Sequence, residues 1–211
     1  MAMRAAVLSD DTLLSRLDRG LYRLERVFGL ISGLAVFALM FLAVYSVAGR
    51  NIFNSPVRGY VDWIEVTMPL IAIMGVSYTQ RDGGHIRMDI LVGRLKGRVL
   101  WMAEFITTAL VLLLIALLIW GSWAHFQRSF DFAAPLWSRD STIDIKLPIW
   151  PAKLIVPVAF SVLALRLVLQ LWAYARAIIT GTDEPVAVPL IEDAATVAAR
   201  EAAAVTGREN A

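Results

Sequence analysis

Cysteine is absent from this 211-residue chain, and histidine occurs only twice, as His85 and His125. Disulfides, thiolate metal sites and cysteine nucleophiles are therefore excluded. Charge is sparse as well. Charged residues make up 18% and hydrophobic residues 58%, whereas a soluble globular chain carries roughly 45–50% apolar and about 25% charged residues. The formal net charge is only +2, too small an excess to grip nucleic acid. No G-x-S-x-G segment exists to place a serine nucleophile beside a histidine. A haem clamped inside a membrane bundle needs facing axial histidines. His85 and His125 fall at opposite ends of the expected topology, so no cofactor is expected.

What the chain does have is long apolar runs bounded by charge, with a mean hydropathy of +0.65. The pattern predicts an all-α integral membrane protein: four transmembrane helices plus short interfacial amphipathic helices, embedded in a lipid bilayer. Residues 1–26 form a cytoplasmic lead, 27–178 a four-span membrane domain, and 179–211 a polar, alanine-rich cytoplasmic tail. The spans are expected at about 27–48, 60–79, 99–126 and 154–175, since about 20 residues cross the hydrocarbon core. The lead does not resemble a cleavable signal, because the apolar run after it exceeds the 7–15 residues of a signal core. Leu13, Leu14, Leu17, Leu21, Leu24 and Phe28 recur at helical spacing, with Arg16, Arg19, Arg23 and Arg26 between them. Such a helix either lies on the membrane surface or forms a solvated lead-in. Arg81, Arg87, Arg94, Lys96 and Arg98 crowd the loop between the second and third spans. By the positive-inside rule both termini are cytoplasmic.

The segment Tyr60–Asp89 is the most informative. Its first half is apolar enough to span, yet it carries Asp62 and Glu65. A carboxylate within a span costs about 2.5–3.5 kcal/mol on insertion scales unless it is paired or near the interface. Three residues apart, the two share a helix face. They are solvated or paired with Arg50 or Arg58, or they contact a partner. Pro69 predicts a kink. Gly29 and Gly33 form a GxxxG pair that lets another helix approach closely. Pro135, Pro148 and Pro151 break the long loop from Gln127 to Ala152. Within the later spans, Glu104 lies about 9 Å above Arg98 and Arg166 about 15 Å above Arg176 at 1.5 Å per residue. A bent arginine can close most of that gap, so Glu104 and Arg166 are expected to pair. His85 and Asp89 are i, i+4, but two ligands are too few for a metal. The spans show no second half resembling the first, as a complete secondary transporter would.

Several motifs nevertheless have a family look. Arg50-Asn51-Ile52-Phe53-Asn54-Ser55-Pro56 is similar to an R-x-x-F-N-x-P turn after span 1. Trp63 and Glu65 fall where an acidic motif opens span 2, and Arg81-Asp82-Gly83-Gly84-His85-Ile86-Arg87-Met88-Asp89 resembles R-x-G-x-H-I-x-x-D. Pro148, Trp150, Pro157 and Arg166 are similar to a P-x-W lead into span 4 and the arginine within it. Across about Val27 to Ile178 the chain resembles the small permease subunit of TRAP (tripartite ATP-independent periplasmic) transporters, the DctQ type. One departure is that the family often has two adjacent glutamates in span 2, whereas Glu65 is followed by Val66. The resemblance implies a non-enzymatic subunit of the bacterial inner membrane. It implies a large TRAP permease subunit and a periplasmic solute-binding protein as partners, and sodium-coupled uptake of an organic acid. Arg50 and Glu65 would pair across the outer ends of spans 1 and 2, and Arg81, His85 and Asp89 would fix the span 2–3 turn. The competing class is a membrane anchor or assembly subunit of another complex, such as a respiratory enzyme.

Overall fold

The computed structural model describes residues 12–81 and 98–181, together with Val188 and Ala202. The interfacial helix expected between Arg81 and Arg98, with His85 and Asp89, falls outside these residues, as does most of the tail. The described elements are α1 (Leu13–Phe53), α2 (Tyr60–Met74), α3 (Val76–Arg81), α4 (Arg98–Ser129), a 3₁₀ turn at Pro135–Trp137, and α5 (Trp150–Thr180). Taking α2 and α3 as one span, four helices are long and apolar enough to cross a membrane. The end where α1 starts and α5 finishes is called the lower end below; the other is the upper end.

The amphipathic lead and the first span are a single helix. α1 runs 41 residues without a break, about 61 Å at 1.5 Å per residue, twice the thickness of a hydrocarbon core. Among the described residues no break separates the basic lead from the span. The face turned into the bundle takes in only part of the apolar stripe that the periodicity picks out, with Leu14 buried and Leu21 and Phe28 half-buried. Leu13, Leu17 and Leu24 are 40–64% exposed, while Leu14, Ser15, Asp18 and Glu25 are buried. The reason is the solvent. In a bilayer, leucine gains little by turning inward, whereas a carboxylate must find partners there.

α5 is the hub, since it touches α1, α2, α3 and α4. Its main partner is the antiparallel α4. Ile115 packs against Leu163 and Leu167 midway along the pair. Nearer the lower end, Trp101 stacks on Tyr174 at 6.0 Å within a cluster that also holds Leu14, Ala173, Ala177 and the tail residue Val188. Gly29 and Gly33 do not seat a neighbouring helix. A Cβ on Gly29 would only graze the Tyr78 ring at 4.0 Å, and one on Gly33 would meet nothing within 4 Å.

Pro69 lies inside α2, but the helix breaks later, at Gly75. There the Gly75 N–H turns to the Ile73 carbonyl, and Ser32 on α1 donates to the Ile71 carbonyl at 3.0 Å. A hydroxyl from the adjacent helix thus serves a carbonyl at the break, as broken membrane helices require.

Two glycines shape the upper turn between α1 and α2. A Cβ on Gly49 would fall 2.7 Å from the Ser55 carbonyl oxygen, which folds back over the end of α1. Gly59 has φ +69°, and Ile145 from the long loop sits 2.6 Å from where its Cβ would be. That loop holds one short 3₁₀ turn and no α-helix of its own, in keeping with its prolines. Phe130 pairs with Ser138 and Ser141 with Pro148 in isolated bridges. Trp150 Nε1 donates to the Leu136 carbonyl at 3.0 Å, and Phe130 meets the Trp150 ring edge-on at 5.4 Å. Substituting Gly59→Ala adds both a left-handed strain and a clash with Ile145. It should destabilise the purified protein by about 1–3 kcal/mol, read as a lower thermal midpoint. Gly20→Ala, where a Cβ meets nothing within 4 Å, should not lower it.

Candidate functional site

Arg166 sits on α5 about 24 Å from the start of the helix and about 21 Å from its end at 1.5 Å per residue, near the middle of a span. It is 0% exposed. An arginine there is tolerated only if its donors are met inside the protein, and the partners come from α1. Arg166 Nε donates to Glu25 Oε1 at 2.7 Å and Nη2 to Oε2 at 2.6 Å, a two-bond fork that fits the planar guanidinium. Nη1 donates to Asp18 Oδ1. Asp18 then accepts on its second oxygen from Arg81 Nη2 at 2.7 Å, at the end of α3. The Arg81 guanidinium lies 3.9 Å over the Tyr22 ring, a cation–π contact. Ser77 donates to Glu25 Oε1 at 2.7 Å. Gln80 donates to Gln170 at 2.9 Å.

Two arginines thus face two carboxylates, and the cluster is formally neutral. It welds α1 to both α3 and α5. Asp18, Tyr22 and Glu25 follow one another at intervals of four and three, so one stripe of α1 supplies all three. The site is a set of ion pairs and hydrogen bonds among α1, α3 and α5. What it can do is hold three elements in register.

The expected pairing of Glu104 with Arg166 does not form. Glu104 is buried on α4 but enters no salt bridge among the described residues. Arg166 turns instead to α1, where two carboxylates can take three of its donors. Placing residues 1–26 in a cytoplasmic lead hides Asp18 and Glu25, which belong to the bundle. The signal that finds them is their spacing: seven residues apart, with Tyr22 between, on a stripe leading directly into an uncharged span.

Arg50 and Glu65 form no pair either. Both are exposed, as is Trp63 on the upper turns of α2. Asp62 does not share their surroundings, being 3% exposed. Nor does it turn to Arg50 or Arg58. Its Oδ2 accepts from Thr142 Oγ1 at 2.6 Å, Ile145 N at 2.8 Å and Asp144 N at 3.1 Å. The Thr142 hydroxyl in turn accepts from Leu147 N at 2.9 Å. A membrane carboxylate is thereby satisfied by backbone N–H groups of the long loop, and the loop is pinned over the top of α2. Asp62 is consequently not available as a second outward-facing acid beside Glu65.

The family relationship is seen over most of the chain. The model of the family Tripartite ATP-independent periplasmic transporters, DctQ component, matches residues 39–177. The chain belongs to this family. It is a small component of TRAP transporters and a multi-pass membrane protein. No curated protein matches the sequence. Within this DctQ chain the matched range takes in Asp62, Arg81, Glu104 and Arg166 and starts beyond Asp18 and Glu25, the acids that the two arginines use.

Two further carboxylates brace the loop at the upper end. Asp140 is held below the ordinary carboxylate range, first by the hydrogen bond from Lys153 and then by that from Ser129. Asp131 is lowered first by the Ala133 backbone N–H and then by the Arg139 side chain. A carboxyl whose folded pKa is depressed contributes stability above its unfolded pKa, about 3.9. That contribution is lost as pH falls through the lower folded value.

Two outcomes are expected. Removing one partner of a buried pair costs about 3–5 kcal/mol, so Glu25→Gln should sharply lower the thermal midpoint, whereas Glu104→Gln should do little. Hydrogen exchange in residues 130–149, corrected for intrinsic rate, should stay protected at neutral pH and rise below about pH 4. Asp140→Asn should raise exchange already at pH 7.

Proposed function

We propose that this DctQ chain is the fixed scaffold of its transporter. It holds the large permease subunit in the bacterial inner membrane while that subunit moves a sodium-coupled organic acid delivered by a periplasmic solute-binding protein. The family match over residues 39–177 carries this reading. The interior chemistry supports the scaffold role. Charges deep in the spans bond to one another, Arg166 with Glu25 and Asp18, and Asp18 with Arg81. A neutral network whose charges meet one another favours rigidity over the passage of a solute, although Arg81 Nη1 and Gln170 Nε2 have no hydrogen-bond partner among the described residues. The aromatic loop at the upper end, with Trp137 and Phe132 exposed, offers a surface on the side that faces the periplasm if both termini are cytoplasmic. The basic residues Arg16, Arg19, Arg23 and Arg26 support that orientation. Asp62, Trp63 and Glu65 divide by role: Asp62 fixes the loop, and Trp63 and Glu65 remain for contact with the large subunit or headgroups.

Co-expression with the neighbouring large permease gene, followed by purification in detergent, should yield a stable one-to-one complex. Reconstituted into liposomes with the binding protein, that complex should take up organic acid only under a sodium gradient. A chain that purifies alone, or with a redox subunit, would overturn the reading.

A further inference from the structure

Between α4 and α5, at the upper end, lies a groove of about 410 Å³. Leu117, Leu118, Gly121, Val156 and Phe160 form its apolar wall, and His125 and Lys153 stand at its upper rim. Its depth follows from the helix rise. From Lys153 to Phe160 along α5 is about 10 Å, and from His125 to Leu117 along α4 about 12 Å. One leaflet of the hydrocarbon core is about 15 Å deep, so the groove is roughly two-thirds to four-fifths as long as one leaflet is deep. Gly121 opens it, because a Cβ there would meet nothing within 4 Å.

The rim differs chemically from the wall. The Lys153 ammonium donates to Asp140 at 2.7 Å and also to Ser129. An ammonium has three donors, so one remains. Its side chain is still 22% exposed. His125 is exposed on α4. Arg128 lies three residues on, on the same side of the helix, and is exposed as well. The Lys153 charge is met by Asp140. The rim therefore offers donors, the spare Lys153 N–H and the His125 ring, with the exposed Arg128 as the neighbouring cation. Above an apolar groove, such a rim matches a molecule with an anionic head and a hydrocarbon tail. We propose that this groove binds one phospholipid of the upper leaflet, its acyl chain along Gly121 and Phe160 and its phosphate at Lys153 and His125. The bound lipid would fill the seam that the α4–α5 pair leaves open beside the braced loop. The inference rests on the membrane-spanning fold and is independent of which solute the transporter carries.

The test is native mass spectrometry of the full chain, purified from membranes and exchanged into detergent. Dioleoyl phosphatidylglycerol is then titrated against dioleoylglycerol, which has the same chains and no phosphate. The wild type and Gly33→Phe, a change on an open face of α1 outside the groove, should each hold one phosphatidylglycerol. Dioleoylglycerol should bind about tenfold more weakly, as expected for one charge-assisted hydrogen bond. Gly121→Phe, which fills the groove, should lose the bound lipid; Val156→Trp narrows it from the α5 side and serves if Gly121→Phe does not purify. Three results would overturn the proposal. The wild type could retain no stoichiometric lipid, or the filled variant could bind as the wild type does. Equal binding of the two lipids would remove the phosphate site. Should Gly121→Phe keep its lipid but fail to co-purify with the large subunit, the occupant is a protein segment instead.

Discussion

A guanidinium in the middle of a membrane span has to be satisfied by the protein around it, and most of this structure follows from that demand. Arg166 stands on the helix that every other helix touches. It draws two carboxylates from α1, and one of these draws Arg81 from the end of α3. Three elements are thereby fixed by groups that could not be left bare in hydrocarbon. Apolar packing does the rest between α4 and α5, where flat aromatic and aliphatic faces meet. The division of labour suits a bilayer. Lipid tails are as apolar as leucine, so apolar side chains alone give weak selection among helix arrangements, whereas polar ones select strongly.

The upper end solves a related difficulty by other means. Asp62 is buried where the span meets the loop, and it is met by a hydroxyl and two backbone N–H groups. The loop in return gains an anchor that fixes the turn from Thr142 to Leu147. Gly59 lets Ile145 descend onto the start of α2, and the aromatic rings around Trp150 fill the space behind. A connection of this length would otherwise move freely; here one carboxylate and a set of rings hold it.

The four spans were legible because hydrophobic length is a direct statement about membrane thickness, and the family motifs lay within them. The long loop was recognised as broken from its prolines. The partners of Arg166 were not legible by the same logic. Leu13, Leu17 and Leu24 announce an apolar stripe, and a rule learned in water turns such a stripe inward. In lipid these three turn outward, and Asp18 and Glu25 share the inner face with Leu14. Height along the helices could place Glu104 near Arg166, but it says nothing about azimuth, and azimuth decided the pairing. Asp62 and Glu65 fail in the same way. Three residues apart, they still end on opposite sides of the boundary between protein and surroundings. Arg50 and Glu65 each match a family motif, and yet neither contacts the other.

The separation of the cluster in sequence also sets an order of assembly. Glu25 and its arginine are 141 residues apart, while Asp18 reaches Arg81 across only 63. At about 5–20 residues per second of synthesis, Glu25 leaves the ribosome roughly 7–28 s before Arg166. During that interval the lower half of the first helix carries an acid that its own span cannot neutralise. Until then Arg81 is the partner already made for Asp18, and the fork on Glu25 can close only when the last span arrives. The final span is the latch of the assembly, and a chain cut short before it would leave the first helix unlocked.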